Sequence, residues 1–531
     1  MTDLRQRDDL LDKHALMVKG LSQRLEAQSG AKATVTQTHI STIILVGEYA
    51  YKLKKPLKLP FLDFSTLENR HHFCLKELAI NRRTAPELYL DVLPVTGTVQ
   101  APDINGQEVV IDWLVKMRRF DSSQEFAVLA RAGKLTFSLV EILAVHLARF
   151  HASLPRLPAA EASKKNTLDW LLESFDEIKA HPFFPTLREA VEWGGLRQDL
   201  KAKFESHLPW RNQRIQEGFF RPCHGDLHLG NIVLWQDRVM AFDALEFDDS
   251  LSNIDVMNDL AFAYMDLHAN RQPELAARLL NAYLEESGDY EGLRLLHEYA
   301  AYRALVRAKI ALMQDDKEKF SQYWSLAKGF VYPANQQALV LVYGLSGSGK
   351  STVAQMLSDM TGGIRLRSDV ERKRLFNIST QNSQMVNKST LYAPETSRRV
   401  YGRLLELAET LLRAGFIVVV DAVFLHQADR IFFHQLANKM GVSFRLLGCE
   451  APEIMLKDRI VKRAQAGKDP SDATIEVLNT QTDKFEPLPN EWGKFSSYIV
   501  NDGTLEELQR KVRWVVDSLA EKNRNSAEIT D

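Results

Sequence analysis

Ala338-Leu-Val-Leu-Val-Tyr343 runs directly into Gly344-Leu-Ser-Gly-Ser-Gly349-Lys350-Ser351-Thr352. A short apolar run bounded by glycine reads as a strand buried on both faces, the state of a strand in a parallel sheet. The segment after it matches G-x-x-x-x-G-K-[ST], and a helical pattern follows. Glycines in such a loop let backbone N–H groups close around phosphate oxygens, and the helix N-terminus adds its dipole. Gly344, Ser346, Gly347, Ser348, Gly349, Lys350, Ser351 and Thr352 are therefore the expected nucleotide-binding set. Lys350 is assigned to the β- and γ-phosphates, and Ser351 to Mg²⁺.

Working outward, strands are expected at 338–343, 364–367, 416–421, 443–448 and 497–500, with helices between them. This alternation predicts a parallel sheet flanked by helices. Arg367-Ser-Asp369-Val-Glu-Arg372 follows the second strand. An acid at the carboxyl end of a parallel strand points into the ligand crevice, so Asp369 is a candidate base. Arg372, one helical turn on, is the candidate phosphate clamp; the alternative is a capping Asp and a solvated basic turn. Asp421 ends another buried strand and is either a Mg²⁺ partner or a helix cap. Arg459 and Arg463 share a helix face at i, i+4, either closing over phosphates or facing solvent. Ala466–Ala473 reads as a mobile turn.

About 120 residues upstream stands His224-Gly-Asp226-Leu-His-Leu-Gly-Asn231. Its spacing is that of the catalytic loop H-x-D-x-x-x-x-N, and Asp243 lies twelve residues after Asn231. In that pattern Asp226 orients an acceptor hydroxyl and takes its proton, while Asn231 and Asp243 hold Mg²⁺. Tyr49–Lys54 is an alternating strand that presents Lys52 and Lys54 on one face. A capping box, Ser65-x-x-Glu68, starts a helix expected to run to about Arg83, with Glu77 inside it. A strand lysine paired with a helix glutamate is the arrangement that holds α- and β-phosphates. Asp243–Asp266 carries seven acids and no Lys, Arg or His. These either cradle a cationic acceptor or brace the loop and cap helices.

Residues 35–265 resemble the aminoglycoside phosphotransferase and choline-kinase-like superfamily. Leu147-Ala-Arg-Phe-His151, the 224–231 loop, Phe242-Asp243-Ala-Leu-Glu246 and Asp255-x-x-x-Asp259-Leu-Ala261 carry that resemblance. It implies a two-lobed, protein-kinase-like fold with Asp226 as base, Asn231 and Asp243 as metal ligands, and Lys52 (Lys54 as the fallback) on the ATP phosphates. It also implies a hinge at Met117–Phe120 that adenine reaches. Thr38-His-Ile-Ser41 stands where a glycine-rich loop would be. Ala244 follows Asp243 where protein kinases have Phe, which argues against a protein substrate.

Residues 338–490 resemble small P-loop kinases of the gluconate-kinase, chloramphenicol-phosphotransferase, zeta-toxin and polynucleotide-kinase types. That likeness assigns Asp369 as base, Arg372 as acceptor clamp and Arg459 with Arg463 as lid. Both units together resemble bacterial proteins that fuse an aminoglycoside-phosphotransferase-like domain to an AAA-type P-loop ATPase. The implied chemistry is ATP- and Mg²⁺-dependent phosphoryl transfer at two sites. The acceptors are a small-molecule hydroxyl and, for the second site, a small molecule or a nucleic-acid 5′ end. The alternative is a nucleotide-gated switch that phosphorylates nothing.

The fold class expected is α+β for residues 1–334 and α/β for 335–520, with 521–531 disordered. The 531 residues, 45% hydrophobic and 26% charged, exclude a wholly disordered chain. A net charge of −2 argues against a globally basic nucleic-acid coat. Cys74, Cys223 and Cys449 are far apart, so a disulfide scaffold is not expected. The N-terminus lacks an apolar h-region and no apolar run is long enough to span a bilayer, so a cytoplasmic protein without membrane partners is expected.

Overall fold

The computed structural model describes residues 2–527 apart from 60–61, 163–165, 334–336, 377–390, 392 and 467–473. The chain forms two compact units. One comprises Met1–Asn270 and Glu298–Lys328; the other comprises Arg271–His297 and Gly329–Asp531. The chain thus crosses between units three times, not once near residue 334, because the helix Pro273–Ser287 packs on the second unit's own elements.

In the first unit, strand Tyr49–Lys54 lies where the alternation places it and pairs with Ser41–Val46, joined at Gly47-Glu48. They belong to a six-stranded antiparallel sheet in the spatial order 34–37, 41–46, 49–54, 110–118, 89–97, 102–104. Tyr89–Gly97 contains Pro94, which removes a ladder donor. Register shifts flank the proline, between Tyr89 and Asp91 and between Val95 and Thr96.

One face of this sheet is covered by Thr2–Ser29, a helix of 28 residues. Its apolar stripe, Met17, Val18, Leu21 and Leu25, is narrow among charged neighbours and packs on Ile44, Val46, Leu53 and Leu114. The other face receives the helix Leu67–Asn81. Its N-cap is Thr66, not Ser65, whose N–H and hydroxyl are both turned back onto Asp63. Beyond residue 120 the unit is mostly helical, with Phe137–Ser153 and Val256–Ala269 among its buried helices.

The second unit is a five-stranded parallel sheet. Its spatial order is 364–367, 418–421, 338–343, 443–450, 496–500, close to the strands expected. Every residue of Ala338–Tyr343 is buried, since it is the central strand with helices on both faces. Val340 and Val342 pack on Val353 and Leu357 of the P-loop helix and on Leu508 and Val512 of the terminal helix. That terminal helix, Leu505–Ala527, runs through most of the tail expected to be disordered, where Glu, Lys, Arg and Ala favour helix; residues 528–531 lie outside the described residues. Among the described residues no helix is long and apolar enough to cross a membrane, and all three cysteines are buried and free.

Candidate functional sites: a charged cleft and a glycine cradle

In the first unit the period of the strand turns Lys52 and Lys54 to one side, and both meet Glu77. Lys52 Nζ lies 2.8 Å from Glu77 Oε1 and 2.5 Å from Asp243 Oδ1. Lys54 Nζ lies 2.7 Å from Glu77 Oε2 and also pairs with Glu246. The two lysines are distinguished by this second partner. Lys54 is sealed between two buried carboxylates, whereas Lys52 reaches the half-exposed Asp243. Burial alone would push the Glu77 carboxyl up, but the two ammonium groups hold it well below the ordinary carboxylate range. Burial would likewise lower Lys52, yet Asp243 and Glu77 hold its pKa well above that of a free lysine.

Lys52 and Asp243 line a cleft of about 1180 Å³, together with Ala50, Tyr89, Met117, Phe120, Trp235 and Phe242. Met117 and Phe120 therefore stand where the hinge was expected. The tight turn Thr38–Ser41 closes by Thr38 N–H to Ser41 O and Ser41 N–H to Thr38 Oγ1, without glycine. Asp243 has φ = 62°, a left-handed conformation unusual for a non-glycine residue. It is held there by its N–H donating to Tyr89 Oη at 3.1 Å and by Ala244 N–H donating to Asn81 Oδ1 at 2.8 Å.

Asn231 Nδ2 donates to the Asp226 carbonyl and to Asp226 Oδ2, both at 3.0 Å. With the amide nitrogen committed to two acceptors, Asn231 Oδ1 remains as an acceptor beside Asp226. The loop around them is pinned by acids. Asp259 accepts from His224 N–H, Gly225 N–H and His151 Nε2, and Asp266 accepts from Leu229 N–H. The His151 hydrogen bond and nearby positive charge outweigh burial and hold the Asp259 carboxyl down at about 2. Asp255 caps its helix and takes Arg214 through two bonds, Asp248 caps Ser250, and Asp249 pairs with Lys76. Of the seven acids, six brace the unit in this way. Asp243 is the one of the seven among the residues lining the cleft.

In the second unit the cradle is backbone. Gly349 caps the helix Lys350–Thr361 with φ = 89°, and Gly347 has φ = 86°. A Cβ at Gly347 would stand 2.6 Å from the Leu456 carbonyl, and one at Gly349 would strike the Asn501 amide. Ser346 N–H donates to Gln481 Oε1, and Asn501 Nδ2 donates to the Ser348 carbonyl. Arg459, expected in a lid, clasps this loop: Nη1 donates to Gly347 O at 3.3 Å and Nη2 to Asn501 O at 3.0 Å. Gln481 and Asn501 were missed because no motif marks them. Arg463 is half-buried on the same helix, and residues 467–473 of the expected mobile turn lie outside the described residues.

Asp369 is in the first turn of Ser368–Leu375, half-buried, and does not cap it; Arg367 occupies the N-cap. Arg372 is buried, with Nη1 donating to the Leu391 carbonyl at 2.9 Å. Asp421 ends its strand beside Arg367, whose Nε is 3.8 Å from Asp421 Oδ2. The other oxygen, Oδ1, is buried without a hydrogen-bond partner among the described residues. A lone carboxylate oxygen in the same unit as a glycine cradle suits a divalent cation. In the first unit the Asn231 Oδ1 acceptor and the Asp243 carboxylate are groups of the same oxygen-donor type.

Family models match both regions: one described as a phosphotransferase enzyme family at residues 121–296, and one described as an AAA domain at 339–488. An uncharacterized protein of Mycobacterium tuberculosis is 29% identical over 456 residues, covering 83% of this chain and 88% of that protein. A choline/ethanolamine kinase family protein from Mesorhizobium loti aligns over 60% of this chain and 96% of its own, with 14% identity and a TM-score of 0.38. A gluconokinase from Sinorhizobium meliloti aligns over 36% and 97%, with 18% identity and a TM-score of 0.27. The chain is an enzyme of the kinase and phosphotransferase type, in which a phosphotransferase-family segment is followed by an AAA-domain segment.

Proposed function

We propose that the protein transfers the γ-phosphoryl group of ATP to hydroxyl acceptors at two separate nucleotide sites. The observation that carries this reading is Lys52, held between Glu77 and Asp243 on the wall of a cleft that Met117 and Phe120 also line. Adenine fits the apolar hinge end, and Lys52 with Asp243 receives the phosphates. Asn231 and Asp243 would hold Mg²⁺, which when bound neutralises charge on the phosphates. Asp226 orients the acceptor hydroxyl and accepts its proton as the new O–P bond forms. The Asn231 amide keeps the Asp226 carboxylate turned to that task.

At the second site the 344–352 loop takes the phosphates, with Lys350 on the β- and γ-phosphates. Ser351 and Asp421 would hold the metal, and Asp369 is the base, with Arg372 behind it. The first acceptor is a small-molecule alcohol. The second is a small-molecule alcohol or a nucleic-acid 5′ hydroxyl.

The test is labelled ATP with purified protein against amino sugars, sugar acids, nucleosides and oligonucleotides. Label is expected in an alcohol product that disappears on Asp226→Asn or on Lys350→Ala, according to the site responsible. ATP hydrolysis stimulated by a partner protein, with no labelled acceptor from any pool, would replace the transferase reading by a nucleotide-gated switch.

A further inference from the structure

The helix Pro273–Ser287 lies within the stretch matched by the phosphotransferase family, yet it belongs to the second compact unit. It runs along the P-loop helix Lys350–Thr361 and the edge strand Ile364–Arg367. Its polar side chains bind both. Arg278 bonds Asp359 through Nε at 3.1 Å and Nη2 at 2.5 Å. Asn281 serves the open edge of the strand, donating to Gly363 O at 2.9 Å and accepting from Arg365 N–H at 2.6 Å.

One turn on, Glu285 accepts from Arg365 Nη2 at 2.6 Å and from Arg367 Nη1 at 3.2 Å. Each arginine leads on to a residue assigned to the metal. Arg365 Nη1 donates to the Ser351 carbonyl at 3.1 Å. Arg367 Nε stands 3.8 Å from Asp421 Oδ2, beyond hydrogen-bond range. Arg367 therefore sits between two carboxylates and is bonded to the one contributed by this helix.

We infer that Glu285 is a positioning residue for the second site's metal: by holding Arg365 and Arg367 it keeps Asp421 open to a divalent cation. The inference rests on the proposal above that this site takes Mg²⁺ with ATP. The physics is competition for one carboxylate. A largely buried guanidinium that loses one carboxylate partner is drawn closer to another beside it. Beside Arg367 stands Asp421, 3.8 Å away, and an arginine bonded there excludes a metal. Glu285 is half-buried, and Arg365 and Arg367 hold its carboxyl below the ordinary range against the opposing effect of burial. It therefore carries its charge at neutral pH, as the role requires.

The test uses the full chain with the first site silenced by Lys52→Ala and Asp243→Asn. ATP binding is titrated calorimetrically across a series of Mg²⁺ concentrations and without metal. Glu285→Gln is expected to raise the Mg²⁺ concentration needed for half-maximal enhancement by about tenfold, with metal-free ATP affinity unchanged. Adding Arg367→Gln removes the competing cation and is expected to restore the Mg²⁺ requirement to within about twofold of the parent. Glu285→Asp, which keeps the charge, is expected to resemble the parent. A general packing role would not be rescued by deleting a second buried charge.

An unchanged Mg²⁺ requirement in Glu285→Gln overturns the inference, as does a double variant no better than the single one. If the parent binds ATP with no response to Mg²⁺, the metal-site proposal itself fails and takes this inference with it. Parental binding that responds to Mg²⁺ while Glu285→Gln does not differ isolates the failure to Glu285.

Discussion

At the P-loop the groups we assign to phosphate come from one continuous stretch, 344–352, whose backbone is freed by glycine. In the first unit's cleft the groups are side chains, and Lys52 meets Asp243 across 191 positions of sequence. The first kind of site depends chiefly on local backbone conformation. The second depends on charge balance inside a folded core. Glu77 has two ammonium partners and Lys54 has two carboxylate partners, so removing one member leaves the others buried and short of a partner. Chemistry and stability are therefore linked in the cleft and separable at the P-loop.

The largest effect that would test this contrast is on turnover. In a Lys350→Ala background, Asp226→Asn is expected to lower phosphoryl transfer at the first site by about 10²–10⁴-fold, the usual range for a lost positioned base. ATP binding should stay near the parental value, since Asp226 contacts Asn231 and not the Lys52 cluster. Single-turnover transfer and equilibrium binding measured on the same samples decide it. Full transfer by Asp226→Asn would make the first unit a binding module.

Stability comes next. Glu77→Ala leaves Lys52 and Lys54 short of a counterion in a buried position, and breaking such a pair costs about 3–5 kcal/mol. Urea unfolding of the first unit should show that loss, while Lys350→Ala should leave the unfolding of its own unit nearly unchanged. Equal destabilisation by both would erase the distinction. Gly347→Ala should behave in the opposite way to Glu77→Ala. Its φ of 86° and the Leu456 carbonyl 2.6 Å from a new Cβ force the loop to shift. Second-site ATP affinity should then fall by about tenfold or more, with first-site binding untouched.

The same contrast explains what sequence could and could not show. The strands 49–54, 338–343 and 364–367 were legible because their apolar periods are uninterrupted. The P-loop was legible because its geometry is local. The choice between Lys52 and Lys54 was not, since both share one face of the strand and only Glu246, far along the chain, separates them. Nor could the acids of 243–266 be sorted, because their partners are Lys54, Lys76, Arg214 and backbone N–H groups at 224–229. Arg459 read as a free lid residue because its acceptors are carbonyls, which carry no side-chain signature. The helix 273–287 has an ordinary amphipathic pattern, and nothing in it says which unit it joins.

The smallest expected effect is also the most local, and it asks whether the cleft contains a backbone element of its own. Asp243 is held at φ = 62° with its N–H on the Tyr89 hydroxyl. Burial pushes the Tyr89 hydroxyl's pKa well up, and the neighbouring Asp243 charge adds to this, so it remains a neutral phenol across the physiological range. Tyr89→Phe keeps the ring that packs in the core and removes only the acceptor. An unsatisfied N–H costs about 1–3 kcal/mol when buried. Because the Asp243 side chain is 43% exposed, water can replace part of that bond, so the loss should lie near the lower end, about 1 kcal/mol. The carboxylate would then be less firmly aimed beside Lys52. Mg²⁺-dependent ATP binding at the first site should weaken by about fivefold, while metal-free binding and the second site stay unchanged. Equal weakening with and without metal would mean that Tyr89 serves the adenine end of the cleft and that the left-handed turn at Asp243 holds itself.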